Sequence, residues 1–227
     1  MINRLPVCGF PLSMVAVVFC AVLSVVFISA PALASVPVLY AFNNITLNDP
    51  TSAATGEAQI VVEVFNGDGT VKFKFKNLGP EESSISEVYF DDGTLLGISS
   101  IIDLPPDVDF VLGASPSNLP GGDLMNPPFE VTQSFLSEAA PPPAKKGVDP
   151  SEEVTIVFDL QSGGTLDDVL SELADGTLRI GIHVINFAGG YSEGFVNEPE
   201  GTPIPEPTML TMLGLGTVVL LRRRRQA

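Results

Sequence analysis

Residues 60–77 read IVVEVFNGDGTVKFKFKN, two apolar-rich arms on either side of Asn66-Gly67-Asp68-Gly69. Asn and Gly tolerate the positive φ that a tight reversal needs, so the stretch predicts a β-hairpin of Ile60 to Phe65 and Val71 to Asn77. In the second arm Val71, Phe73 and Phe75 alternate with Lys72, Lys74 and Lys76. That period of two buries one face of a strand and leaves the other in water.

The same pattern extends outward in both directions. Val38 to Leu47, Ile85 to Phe90, Thr94 to Ile102, Asp109 to Leu112, Phe129 to Phe135, Val154 to Leu160, Leu178 to Phe187 and Gly194 to Asn197 are further strand candidates, most of them bounded by turn residues. One segment reads as helix. Thr165 is placed to cap it, Asp167 and Asp168 sit at its positive end, Leu166, Val169, Leu170 and Leu173 form a stripe, and Gly176 ends it. One short helix among about ten strands predicts an all-β domain, a β-sandwich for which a jelly roll is one possible form. The Pro-rich connections 116–128 and 139–150 lie inside this domain, because neither flank has enough strands to cover two faces alone. The sandwich is expected to span residues 35–197.

Of the 227 residues, 11 are Lys or Arg and 27 are Asp or Glu, a net charge of −16. Arg4 and Arg222 to Arg225 stand at the ends, so residues 35–204 hold six basic side chains against 26 acidic ones, a net −20. Such a surface excludes nucleic acid, whose phosphates need clustered Lys and Arg, and argues against docking on anionic lipid. Cys8 and Cys20 are the only cysteines, and both precede the sandwich. The domain is therefore thiol-free, without a disulfide, a thiolate nucleophile or a Cys-based zinc site.

The ends read as addresses. Arg4 precedes the apolar run Met14 to Ile28, followed by Ala32-Leu33-Ala34. Small side chains at Ala32 and Ala34 predict a signal peptide over residues 1–34, cut by signal peptidase between Ala34 and Ser35, with an uncleaved signal anchor as the alternative. At the other end a spacer, 198–204, leads to Pro205-Glu206-Pro207, an apolar run over 208–221, and Arg222, Arg223, Arg224 and Arg225. The 14-residue run spans about 21 Å as a helix, short against a hydrocarbon core of roughly 30 Å. The arginines compensate by snorkelling to the headgroups and stopping transfer on the cytoplasmic side. A plain tail anchor would share these features.

Pro205-Glu206-Pro207, the short apolar helix and the terminal arginine cluster together resemble the PEP-CTERM sorting signal, over residues 205–227. The resemblance implies an exosortase, a membrane-embedded transpeptidase-like cysteine protease, as processing partner. It also implies an inner-membrane precursor whose passenger ends in the cell envelope, at the outer surface or in an extracellular matrix. Residues 83–93, 113–122, 179–184 and 192–197 are similar to a passenger domain that recurs before such tails, which implies secretion and a shared fold but no activity.

Within the domain, Gly190-Tyr191-Ser192-Glu193-Gly194 fits the G-x-S-x-G pattern of a hydrolase elbow, but the segment after Ser192 reads as strand rather than helix, and no histidine comes later in the chain. His183 is the sole histidine, on an expected strand with two apolar faces, where a hydrogen-bonded, half-buried role is expected. No catalytic residue or cofactor is assigned. Calcium is the one cation left open, with Asp91, Asp92, Asp103, Asp107 and Asp109 as oxygen ligands at turns. The functional expectation is a structural or binding module with extracellular polysaccharide as a candidate ligand. The alternative is a matrix-glycan hydrolase, which needs two carboxylates facing one cleft.

Overall fold

The computed structural model describes residues 36–67, 69–91, 94–103, 107–115, 117–132, 135–161 and 163–203. The hairpin forms as its pattern dictates. β2 (Ile60–Asn66) and β3 (Thr70–Asn77), which come after β1 (Val38–Asn44) in the chain, pair from Ile60↔Asn77 to Asn66↔Val71. Val71, Phe73 and Phe75 are fully buried. The lysines between them point outward, where Lys76 meets Glu63 at 2.5 Å and Lys74 meets Glu153 at 3.2 Å.

β4 (Ser84–Asp91), β5 (Leu95–Ile102), β6 (Phe110–Leu112), β7 (Leu136–Ala139), β8 (Glu153–Leu160), β9 (Arg179–Ile185), β10 (Glu193–Asn197) and β11 (Thr202–Pro203) complete the strands. All are antiparallel, in the order β5-β8-β3-β2-β1-β10-β9-β4-β7-β6, with β11 added beside β1. β1 joins two layers. Its first half pairs with β2 (Val38↔Val64 to Ala41↔Val61) and its second half with β10 (Phe42↔Asn197 to Asn44↔Phe195).

The strands fold back on themselves as a sandwich, with aromatic rings from both layers meeting inside. Phe73 and Phe158 of one layer lie 5.0 and 4.6 Å from Phe90 of the other, edge to face, and Phe135 lies 5.3 Å from Phe158. Such pairs gain about 0.5–1.5 kcal/mol each beyond the area they bury. A second, smaller cluster covers the outer side of the β4–β9–β10 layer, where Leu119 and Phe129 from the 113–131 connection pack with Tyr89, Leu136 and Val196. Gly181 makes that approach possible, since a Cβ there would lie 2.6 Å from Leu119 Cδ2.

Two expectations are corrected. A second helix, α1 (Pro50–Gln59), precedes β2, in addition to α2 (Leu166–Asp175), which has the capping box at Thr165 and Asp168. α1 lacks an apolar stripe. It is started by the Asp49 cap and Pro50, and it is held where Gly56 lies against the ring of Phe195. The strand expected over Phe129 to Phe135 begins instead at Leu136, because Phe129 belongs to the outer cluster and Thr132 N–H turns to Phe90 O.

Phe90 touches three rings, so Phe90→Ala should lower unfolding free energy by about 3–5 kcal/mol, as large-to-small core changes do. Phe65→Ala, on the outer face of β2, should cost under about 1 kcal/mol. Denaturant titration of both variants measures the contrast.

Candidate functional site

The chain enters and leaves the sandwich side by side. Val38 of β1 is paired with Pro203, and Leu39 with Thr202. Upstream, Glu198 N–H donates to Ala41 O at 2.9 Å, and Gly201 lies so close that a Cβ would sit 2.3 Å from Val38 Cγ1. Residues expected to act as a spacer therefore run along β1 as far as Pro203. Pro205, Glu206, Pro207, the run 208–221 and Arg222 to Arg225 lie outside the described residues, as do Ala32, Ala34 and Ser35. Among the described residues no helix is long and apolar enough to cross a membrane.

Among the described residues the candidate calcium ligands are not gathered at one place. Asp91 is buried and ion-paired with Arg179, and it also accepts from Glu130 N–H at 3.2 Å. Arg179 reaches on to Pro127 O at 2.9 Å and Pro128 O at 2.5 Å, and its guanidinium lies 5.2 Å from the Phe129 ring centre. This is a clamp on the outer loop. Asp103 Oδ1 caps Phe110 N–H at 2.8 Å, Asp109 is half-buried with its N–H on Lys146 O, and Asp107 is exposed. Asp92 lies outside the described residues. Among the described residues no group of three or more His, Asp or Glu side chains is arranged to hold a metal ion.

His183 does take the hydrogen-bonded, half-buried role. Its Nδ1 lies 2.6 Å from Glu87 Oε2, which also accepts from Ser86 Oγ at 2.5 Å. Glu138 stands opposite Glu87 on β7. Both carboxylates act on Tyr89 but have different partners, Glu87 being held by His183 on β9 while Glu138 accepts from Ser115 N–H at 2.9 Å. Burial, and then the charges of Glu87 and Glu138, push the Tyr89 phenol up. Ser192 precedes β10, so its segment runs into a strand, as its sequence indicates. Open cavities of about 440 Å³ between Glu82, Asp149 and Asn186, 410 Å³ beside α1, and 350 Å³ near Gly164 are lined by none of these residues.

One functional group was not anticipated. Glu193 is fully buried and accepts from Thr46 Oγ1, Asp49 N–H at 2.6 Å, Asn48 N–H at 3.0 Å and Asn44 Nδ2 at 3.1 Å. Burial alone would raise its pKa, but these four donors outweigh burial and lower it. Its carboxylate also sits at the positive end of α1.

The segment that leaves the sheet through β11 belongs to a recognised class of address. Residues 203–225 match the PEP-CTERM protein-sorting motif. The chain thus carries a PEP-CTERM sorting signal and is an exosortase-sorted protein of the cell envelope or extracellular space. No curated protein and no solved structure matches it.

Because the folded state lowers the Glu193 pKa, its contribution is present above the unfolded carboxylate value, about 4.3, and is lost as pH falls through the lower folded value. Glu193→Gln should cost about 2 kcal/mol at neutral pH, within the range for hydrogen bonds to a charged group. Its stability should also fall less steeply than wild type below about pH 4.3. Urea unfolding at a series of pH values measures both effects.

Proposed function

We propose that the exported sandwich is a structural or binding component of the cell surface or its polysaccharide matrix. In this reading the precursor is delivered by a cleaved signal peptide and held in the inner membrane by the helix 208–221 until exosortase frees it. The observation that carries it is the sorting motif at 203–225, which starts at the last residue of β11. A second observation supports a module rather than an enzyme. Glu87, His183, Glu193, Asp91 and Arg179, five of the buried or half-buried ionisable groups of the sheet, each pair with another part of the same chain. The glycan-hydrolase alternative has Glu87 and Glu138 as its best carboxylates, and their separate partners argue against a shared substrate. With a net −20 on residues 35–204, neutral polysaccharide is a better ligand class than an acidic one.

Glu206 is the sensitive element of the tail. Two prolines hold its backbone extended, so its carboxylate is offered at a defined position, whereas many apolar sequences would serve for 208–221. Glu206→Ala should leave export intact and block release, so that full-length protein accumulates with Arg222 to Arg225 attached, while Leu215→Ile is processed normally. Membrane fractionation with detection of the tail decides it. Normal processing of Glu206→Ala would leave a plain tail anchor. The released form should begin at or within a few residues of Ser35 by terminal sequencing.

Calcium, if bound, would lie at the turns bearing Asp91, Asp103 and Asp109. Their protein partners lead us to expect a melting temperature unchanged within about 2 °C by chelator, a shift that corresponds to at most about 1 kcal/mol.

A further inference from the structure

The docked position of β11 conflicts with the use of the motif it leads into. The motif begins at Pro203, and Pro203 is paired in the sheet opposite Val38. Glu206 is three residues further on, a reach of about 10 Å at most. A folded domain of this size has a radius of gyration of about 15 Å. A protease that works at the membrane must also take the residues before its cut in extended form, and here Thr202 and Pro203 are committed to β1.

Freed from Glu198 onward, the same chain reaches roughly 26–29 Å to Glu206. The strap is built to open. β11 has two paired residues, where β2 and β3 share seven pairs. Short, edge-added segments of this kind belong to the low-stability end of local opening.

We propose that β11 is a detachable strand, and that its withdrawal from β1 admits exosortase to the sorting motif and limits the rate of release. The proposal rests on the exosortase reading above. The folded sandwich and the protease compete for one segment, so folding itself regulates sorting. The docked strap holds back the motif, and local opening of the strap, with the sandwich otherwise intact, delivers it.

The test is a cross-link across the pair Leu39↔Thr202 in the full chain, introduced as Leu39→Cys with Thr202→Cys in a domain that has no other cysteine. The disulfide is verified by non-reducing electrophoresis, and release is tracked by pulse-chase in the producing cells. The cross-linked form should be released at least ten-fold more slowly than wild type, with each single variant at the wild-type rate. Six Gly/Ser residues inserted after Pro203 should restore release of the cross-linked form. Release of the cross-linked form at the wild-type rate overturns the proposal, and so does a slow form that the insertion fails to rescue. If no disulfide forms, Gly201→Val is the second variant, since its side chain collides with Val38 and Tyr40 and lifts the strap. It should be released at least two-fold faster, and an unchanged or slower rate overturns the proposal. Normal processing of Glu206→Ala would instead remove the exosortase reading, which separates the two failures.

Discussion

The fold depends on β1, one strand hydrogen-bonded into both layers. Its residues Val38 to Ala41 belong to the β2 side and Phe42 to Asn44 to the β10 side, so seven residues carry the whole turn from one sheet to the other. Backbone donors and acceptors at such a corner must find partners or lose about 1–3 kcal/mol each. The partners are supplied by different parts of the chain. β11 fills the edge of the first half, and Glu193 draws the loop after the second half onto the end of β10. Loss of the Glu193 contacts would free the loop after the second half from the end of β10, whereas β11, with two paired residues, can part from β1 while the pairing of β1 with β2 and β10 keeps the two layers in register.

The charged groups divide by location. On the outer face of the β2–β3–β8 layer, Lys74 and Lys76 sit among Glu63 and Glu153 in partly exposed pairs worth little individually. In the other layer Arg179 and Asp91 secure the 113–131 connection, and the Glu87–His183 pair lies nearly buried along β4 and β9. These are the places where a lost partner would be expensive, because the remaining charge would be stranded away from water. The basic side chains are few, and those of the sheets are occupied. The negative excess therefore falls on loops, turns and α2, which carries Asp167, Asp168, Glu172 and Asp175 and no basic residue.

The parts legible in the sequence were those governed by local rules. The alternation from Val71 to Lys76 and the turn at Asn66 to Gly69 identify the hairpin without reference to anything distant. Thr165 and Gly176 frame α2 in the same way. α1 escapes such rules because its sequence has Gly56 where a stripe residue would stand, and only the Phe195 ring explains why. Glu193 escapes them more completely. Its partner Thr46 is 147 residues away, and no spacing within either segment announces the contact. The sorting signal was legible for the opposite reason, since its prolines, apolar run and arginines form a linear motif recognisable without reference to the fold. The commitment of Thr202 and Pro203 to the sheet was hidden, because two residues are too few to show a period.

The outermost strands bear on behaviour after release. A protein sorted to the cell envelope or extracellular space meets other copies of itself there, and an open strand edge is the natural place for copies to join. Here one edge is β5, whose register is broken at Leu95/Gly97 and again at Ile98/Ser100, and the other is β6, three residues long. An incoming strand would find no straight ladder to extend. Ile102 and Leu112 are more than half exposed on those edges, so the bulges and the brevity, together with mutual repulsion, stand between dispersed copies and fibrous ones.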